Sequence, residues 1–247
     1  MLISIITAVY NGAGSIAQTL ASVALQDHEH IEYIVVDGAS TDTTLATVRA
    51  HGERVARVIS EPDRGVYDAF NKGLRAATGD AIAYLGCGDT YVSPDVVSRM
   101  AAELSHQGTE AAFADASIVD ADDPAHIVRR YSSKRFTPQR MAFGLMPAHP
   151  TLFLRREVYR SVGEYDTQFR IAGDFELCLR VFARRTTRYR YVAEPLVRMP
   201  RGGLSNSGWR SKLQITREMR RACAMNGVRT NYAKLCLRFP LKILEMV

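Results

Sequence analysis

The 247-residue chain has little of what several protein classes require. Its four cysteines, Cys87, Cys178, Cys223 and Cys236, show no C-x-x-C spacing, which argues against a zinc site and a disulfide framework and predicts reduced thiols. No stretch reaches the roughly 18 apolar residues of a membrane span. The opening "MLISIITAVYNG" has no basic leader and too short an apolar run for a secretory core, so a cytosolic location is expected. Low-complexity tracts and repeats are absent, so neither disorder nor a solenoid is indicated. The first glycine-rich turn, "YNGAG", lacks the G-x-G-x-x-G of a dinucleotide site. It also lacks the Lys or Arg that a nucleotidyltransferase would place around a triphosphate.

What is present is ordinary for a folded protein, with 47% hydrophobic and 23% charged residues and length enough for one large domain with a sizeable core. Charge is unevenly placed. The net +6 conceals a basic C-terminal stretch, residues 201–247, with ten Lys/Arg against two Asp/Glu.

Periodicity supplies the fold class. "LISIITAV" reads as a strand closed by "YNG", and "SIAQTLASVALQ" as a helix behind a Ser15 N-cap. "IEYIVVDGASTD" repeats the design, a strand ending at Asp37 before a helical segment. "VARVISEP" is a third strand, "GVYDAFNKGLRAATG" a helix and "DAIAYLG" a fourth strand. Strands alternating with helices over 100 residues predict an α/β domain with a mainly parallel sheet. Ligands bind such sheets beyond the carboxyl ends of the strands. Polar residues collect there: Thr7, Tyr10 and Asn11 after the first strand, Asp37 after the second, Glu61 and Asp63 after the third, Asp89 after the fourth. Further on, "SPDVVSRMAAELSHQG" reads as a helix, "AAFADASIVD" and "HIVRRYSS" as strands, and "DFELCLRVFARR" as one amphipathic helix. No linker interrupts the pattern, so a single domain over 1–206 is expected, with 207–247 as a basic amphipathic helical tail.

In their order and spacing, "SIITAVYNGAGSIAQTLASVALQ", "YIVVDGASTDTT", "EPDRGVYDAFNKGLRAATGDAIAYLGCGD", "HPTLFLRREVYRSVGEYD" and "AGDFELCLRV" resemble the family 2 glycosyltransferases. These are inverting, nucleotide-sugar-dependent enzymes of the Rossmann-like GT-A fold. The resemblance covers residues 2 to about 200, and "EPDRGVYDAFNKG" is most similar to the branch that builds bacterial capsule, exopolysaccharide or O-antigen glycans. It implies a hexosyl- or N-acetylhexosaminyl-transferase using a nucleoside diphosphate sugar, with uracil the expected base. The acceptor it implies is a hydroxyl of a polyprenyl-diphosphate-linked or free oligosaccharide.

The resemblance also assigns roles. Thr7, Tyr10, Asn11 and Asp37 line the nucleotide pocket, Tyr10 offering a ring face and Asp37 an acceptor for the base imide N–H. A loop-packing role for Tyr10 and a turn-forming role for Asp37 stay open. Asp68, Asn71 and Lys72, at i, i+3 and i+4, share a helix face expected to turn toward the donor, with a solvated face as the alternative. Where the family carries an aspartate-rich metal motif, this chain has Gly86, Cys87, Gly88 and Asp89. One carboxylate with substrate phosphates and waters suffices for a weakly held Mg²⁺ or Mn²⁺, so Asp89 is the expected ligand, bound with nucleotide. A cation-free site balanced by Arg or Lys is the other possibility. Gly88 lets backbone approach the donor.

Asp174 stands at the position of the family's catalytic base, at a helix start where the dipole favours an ionised carboxylate. The match is partial, because the family often has a second acidic residue where this chain has Gly173, and a plain helix cap is the rival reading. His149 is expected at the diphosphate or the acceptor. The stretch "RMPRGGLSNSGWR" reads as a loop able to close over phosphates. The basic tail suits an anionic membrane surface, against the alternatives of packing on the domain or on a second subunit. Nothing resembles a nucleic-acid module. The thinned metal motif also leaves room for a catalytically inactive sugar-nucleotide-binding or scaffold protein.

Overall fold

The computed structural model describes residues 1–183, 186–202 and 209–243. Its first half follows the expected alternation: β1 (Ile3–Val9), α1 (Ile16–Ala24), β2 (Ile31–Asp37), α2 (Thr44–His51), β3 (Val55–Ser60), α3 (Val66–Ala76) and β4 (Ala81–Tyr84). Each connection contains a helix, which is the length a parallel crossover needs. Accordingly β3, β2, β1 and β4 are neighbours in that order and all parallel. Both faces of these strands are covered, so β1 and β4 are almost continuously apolar and buried rather than alternating.

The second half is built differently. It comprises β5 (Thr90–Tyr91), α4 (Val96–Ser105), β6 (Ala111–Val119), β7 (Ile127–Tyr131), β8 (Phe153–Arg155), α5 (Arg156–Val162), α6 (Gly173–Cys178) and β9 (Tyr189–Pro200). The sheet continues β4-β8-β6-β9-β5, with β7 paired to β6. Here β8 runs antiparallel to both β4 and β6, β7 antiparallel to β6 and β5 antiparallel to β9, while β6 and β9 are parallel. Parallel pairing thus dominates where helices alternate with strands and gives way to a mixed edge beyond β4.

Two apolar layers flank the sheet. One packs α1 and α4 against it through Ile16, Leu20, Val97, Met100 and Leu104. The other brings in Phe70 of α3, Val158 of α5 and Phe175 of α6. The helix expected over "DFELCLRVFARR" ends as α6 and widens into a π-helical turn over Leu179–Ala183, which turns Leu179, Val181 and Phe182 inward. Ser15 is not the side-chain cap expected of it. Its Oγ lies 3.4 Å from the Gly12 carbonyl and 3.3 Å from Cys87 Sγ, while that carbonyl also accepts the N–H groups of Ser15 and Ile16.

The basic stretch forms α7 (Trp209–Met225), α8 (Tyr232–Cys236) and α9 (Arg238–Ile243). Rather than standing apart as a tail, it packs on the domain: Met219, Ala222, Cys223 and Leu235 belong to the same core layer as Phe175. The boundary expected at residue 206, and the centre of the stretch read as a phosphate-closing loop, residues 203–208, lie outside the described residues.

Candidate active site

A cavity of about 320 Å³ opens beyond the carboxyl end of β4, and its wall includes Asp89, Asp174 and His149 beside Tyr67, Phe70 and Tyr84. Three expected site residues far apart in sequence therefore meet in one place.

Asp174 lies in the first turn of α6. Its Oδ1 accepts the Phe175 N–H at 2.7 Å and stands 3.4 Å from the Tyr67 hydroxyl, whose shorter bond goes to the Ile171 carbonyl at 2.6 Å. Burial outweighs these hydrogen bonds and pushes the carboxyl up to about 6. The approach to α6 is fixed from α7. Glu218 accepts the N–H groups of Ile171 and Ala172, each at 2.9 Å, and of Arg170 at 3.3 Å. Glu176 points elsewhere, into an ion pair with Arg180 at 2.7 Å and a hydrogen bond from Asn226 at 3.1 Å. A Cβ at Gly173 would meet the Tyr67 ring at 2.8 Å, so the acidic residue often found there in the family has no room.

Asp89 is half-buried, and burial pushes its carboxyl up to about 7. Its N–H closes a turn onto the Gly86 carbonyl at 2.9 Å. A Cβ at Gly86 would lie 2.7 Å from Asp89 Oδ2, so Gly86 is what lets this carboxylate fold back over the turn. Gly88 adopts φ +96°, in the left-handed region that favours glycine. Its N–H is taken by Thr19 Oγ1 and its carbonyl by Gln18 Nε2, both at 2.9 Å, so its backbone is tied to α1. Cys87 likewise turns toward Gly12 and Ser15. Among the described residues no group of three His, Cys, Asp or Glu side chains converges on a point. Among the described residues the donors fit a cation held by Asp89 together with a ligand's phosphates better than a cage made by protein alone.

His149 packs against the contacting pair of Phe70 and Tyr84, with ring centroids 5.9 and 5.8 Å away, and its Nε2 lies 2.8 Å from the Tyr165 hydroxyl. Burial pulls its pKa down to about 4, so it is neutral at physiological pH. It can hydrogen-bond a ligand but does not bring a positive charge to a diphosphate.

The nucleotide residues expected at the strand ends are only partly exposed to a ligand. Tyr10 is 64% exposed beside Gly38, whereas Asp37 is 0% exposed, accepting the Ser60 hydroxyl at 2.7 Å and the Ser40 N–H at 3.1 Å. Thr7 is buried, its hydroxyl 2.9 Å from the Leu85 carbonyl and 3.1 Å from the Tyr33 hydroxyl. Asn11, at φ 48°, accepts the Thr41 N–H at 2.9 Å and joins the loops after β1 and β2.

The helix face of Asp68, Asn71 and Lys72 does not line the cavity. Asp68 accepts the Arg64 N–H at 3.0 Å; Lys72 pairs with Glu61 at 3.0 Å and donates to the Pro62 carbonyl at 2.6 Å; Asn71 bonds the Tyr165 backbone. These groups brace the loop after β3 and the segment at 165. The apolar face of the same helix, Tyr67 and Phe70, reaches the cavity instead, as "GVYDAF" signals through its aromatics at i and i+3.

Residues 4–163 match the family model described as glycosyl transferase family 2. A relative from Mycobacterium bovis (strain BCG / Pasteur 1173P2), a PGL/p-HBAD biosynthesis glycosyltransferase, is 31% identical over 217 residues, which cover 83% of this chain and 80% of the relative. Among solved structures, S. aureus TarS 1-349 in complex with UDP-GlcNAc aligns with a TM-score of 0.73 at 18% identity, over 95% of this chain and 70% of TarS 1-349. Mannosyltransferase PcManGT from Pyrobaculum calidifontis, in complex with GDP-Man and Mn²⁺, aligns with a TM-score of 0.64 at 21% identity, over 89% and 64% of the two chains. At such identities the two structures establish the fold alone. The sheet with its flanking helices is the Rossmann-like GT-A architecture, and the chain belongs to glycosyl transferase family 2.

Proposed function

We propose that this glycosyltransferase moves a sugar from a UDP-linked donor, with inversion, to a hydroxyl of a lipid-linked or oligosaccharide acceptor in bacterial surface polysaccharide synthesis. The observation that carries the reading is the convergence of Asp89 and Asp174 on one cavity beyond β4, each with its pKa raised by burial. A base works best with a pKa near the operating pH. Asp174 takes the proton of the acceptor hydroxyl as that oxygen bonds to the anomeric carbon. The sugar–phosphate bond breaks on the opposite face, and its electron pair leaves with the diphosphate.

Asp89 would hold the cation, Mg²⁺ or Mn²⁺, which when bound neutralises charge on the departing diphosphate. Tyr10 supplies the face on which the base stacks. Asp37, Thr7 and Asn11 shape the strand-end loops beneath it, Asp68, Asn71 and Lys72 brace their rim, and the turn at Gly88 presents Asp89. Neutral His149 faces the donor or the acceptor. UDP-GlcNAc bound to TarS supports uracil, while GDP-Man with Mn²⁺ on PcManGT makes guanine the alternative to test.

A peripheral position on the inner face of the membrane fits the same reading. No helix among the described residues is long and apolar enough to cross a bilayer, and α7 exposes Trp209 and Leu213 beside Arg210 and Lys212.

The test is calorimetric titration with UDP, GDP and dTDP, each with and without Mn²⁺, followed by donor hydrolysis with wild type and Asp174→Asn. Metal-enhanced binding of UDP, with hydrolysis lost in the variant and binding retained, is the expected result. No binding of any nucleotide would overturn the reading.

A further inference from the structure

A base stacked on Tyr10 needs an acceptor for its imide N–H, and Asp37, the residue expected to supply it, is sealed under its own turn. A second carboxylate stands over that turn. Asp63, in the loop after β3, is half-buried and lays its Oδ2 against Gly38. A Cβ on Gly38 would collide with that oxygen, and would meet Asp63 Cγ at 3.2 Å and Tyr10 Cδ2 at 3.4 Å. One glycine thus carries the carboxylate on it and the exposed Tyr10 ring beside it. Oδ1 of Asp63 accepts the Gly65 N–H at 2.9 Å, whereas among the described residues no donor bonds Oδ2.

The surroundings hold this carboxylate in place. Lys72 donates to the Pro62 carbonyl and Asp68 accepts the Arg64 N–H, so the residues on both sides of Asp63 are tied to α3. Among the described residues, the only non-glycine residues with left-handed φ are Asn11 at 48° and Ala39 at 62°, next in sequence to Tyr10 and Gly38. Backbone strain of this kind clusters at ligand sites. The loops after β3, β2, β1 and β4 lie side by side in that order, so Asp63, Gly38, Tyr10 and Asp89 form a row. Two strand spacings of about 4.8 Å separate the Gly38 loop from the Asp89 turn, room for a ribose and two phosphates.

The chemistry of the group sets what it can read. An ionised carboxylate accepts and does not donate, so it pairs with an N–H and repels a ring nitrogen that bears a lone pair. Uracil and thymine present a single imide N–H. Cytosine presents a lone pair at the same position. Guanine presents two N–H groups side by side, which suit a carboxylate with both oxygens free rather than one.

We propose that Asp63 takes the imide N–H of the base stacked on Tyr10, that position 38 is glycine to admit its carboxylate, and that the two select uracil or thymine over cytosine and guanine. The proposal rests on the reading of the strand ends as the nucleotide half of the transfer site. It moves base recognition from the end of β2 to the loop after β3, and it gives Lys72 and Asp68 the task of holding the selecting loop.

Calorimetric titration of the full chain with UDP, dTDP, CDP and GDP in Mn²⁺ tests it. Wild type is expected to bind UDP or dTDP at least about tenfold more tightly than CDP or GDP, the step that one charge-assisted hydrogen bond supplies, and the tighter of the two names the nucleoside. Asp63→Asn, whose amide can also donate to the cytosine ring nitrogen, should bring UDP and CDP within a few-fold of each other. Asp63→Ala should weaken UDP by about tenfold and leave CDP no weaker. Gly38→Ala, whose methyl displaces the carboxylate, should weaken UDP likewise, and the isosteric Asp63→Asn keeps the test decisive if the alanine variant fails to fold. Equal binding of UDP and CDP by wild type, GDP as the tightest ligand, or a preference for UDP that survives Asp63→Ala would each overturn the proposal and leave the transfer reading standing. Failure of all four nucleotides to bind would overturn both.

Discussion

Asn71 and Tyr165 hold one another by a closed pair of hydrogen bonds, the amide donating to the Tyr165 carbonyl and accepting the Tyr165 N–H, each at 2.9 Å. The pair fastens α3 to the segment whose phenol stands under His149 and whose ring lies flat on Tyr67, at 5.6 Å and 16°. A residue that reads as a ligand contact in sequence is thus a clamp between two walls of the cavity.

Asn71→Leu would leave both backbone groups of Tyr165 buried and unpaired, at about 1–3 kcal/mol each. Thermal unfolding followed by circular dichroism should show a midpoint lower by roughly 5–15 °C for a chain of this size. A change within a degree or two would mean that the clamp carries no weight.

Asp174→Asn should lower transfer by about 10²–10⁴-fold while nucleotide affinity stays within a few-fold of wild type. In wild type, transfer should fall as pH drops through about 6, because Asp174 as the proposed base must be ionised. Stability should move the other way. The folded carboxyl titrates at about 6 against an ordinary value of 3.8, so its contribution is fully present below the lower value and is lost as pH rises through the upper one. The Asn variant should therefore melt above wild type at pH 8 and close to it at pH 3.5.

If Asp89 holds the cation as proposed, binding displaces a proton held up to about 7. Stimulation of transfer by Mn²⁺ should consequently be larger at pH 8 than at pH 6, and Asp89→Asn should abolish it while leaving metal-free nucleotide binding intact. Activity in EDTA equal to that in Mn²⁺, at pH 8, would remove Asp89 from the role of ligand.

Gly173→Ala tests why the acidic pair of the family is reduced to one. Its Cβ would press on the Tyr67 ring at 2.8 Å, and backbone there cannot yield without moving Asp174. Steady-state kinetics should show kcat down by about tenfold or more with KM for donor little changed, since a shift of about 1 Å at a reacting group is that costly.

Much of this was legible before any coordinates. Strand and helix alternate from Ile3 to Tyr84 because each apolar run is short, β-branched and closed by a polar turn, and Asp37 and Asp89 fall where such strands end. The α6 helix placed Asp174 correctly at its first turn. Other features were out of reach for physical reasons. Periodicity places Asn71 and Lys72 on one face, but whether that face meets solvent, a ligand or another segment depends on where residues 61–65 and 165 come to lie. Asp37 and Thr7 were expected to line a pocket, yet a strand-end residue can also be sealed beneath its own turn, as Ser40 and Ser60 seal Asp37. Glu218 was read only as a member of a basic tail. Its part follows from contact with Ala172, which no local pattern encodes.

The hold of Glu218 on residues 170–172 makes the start of α6 depend on α7, which lies beyond the stretch that the family model matches. A chain cut before α7 would leave the N–H groups of Arg170, Ile171 and Ala172 without that carboxylate, so the segment leading to Asp174 would lose an anchor that the loops before residue 90 do not share.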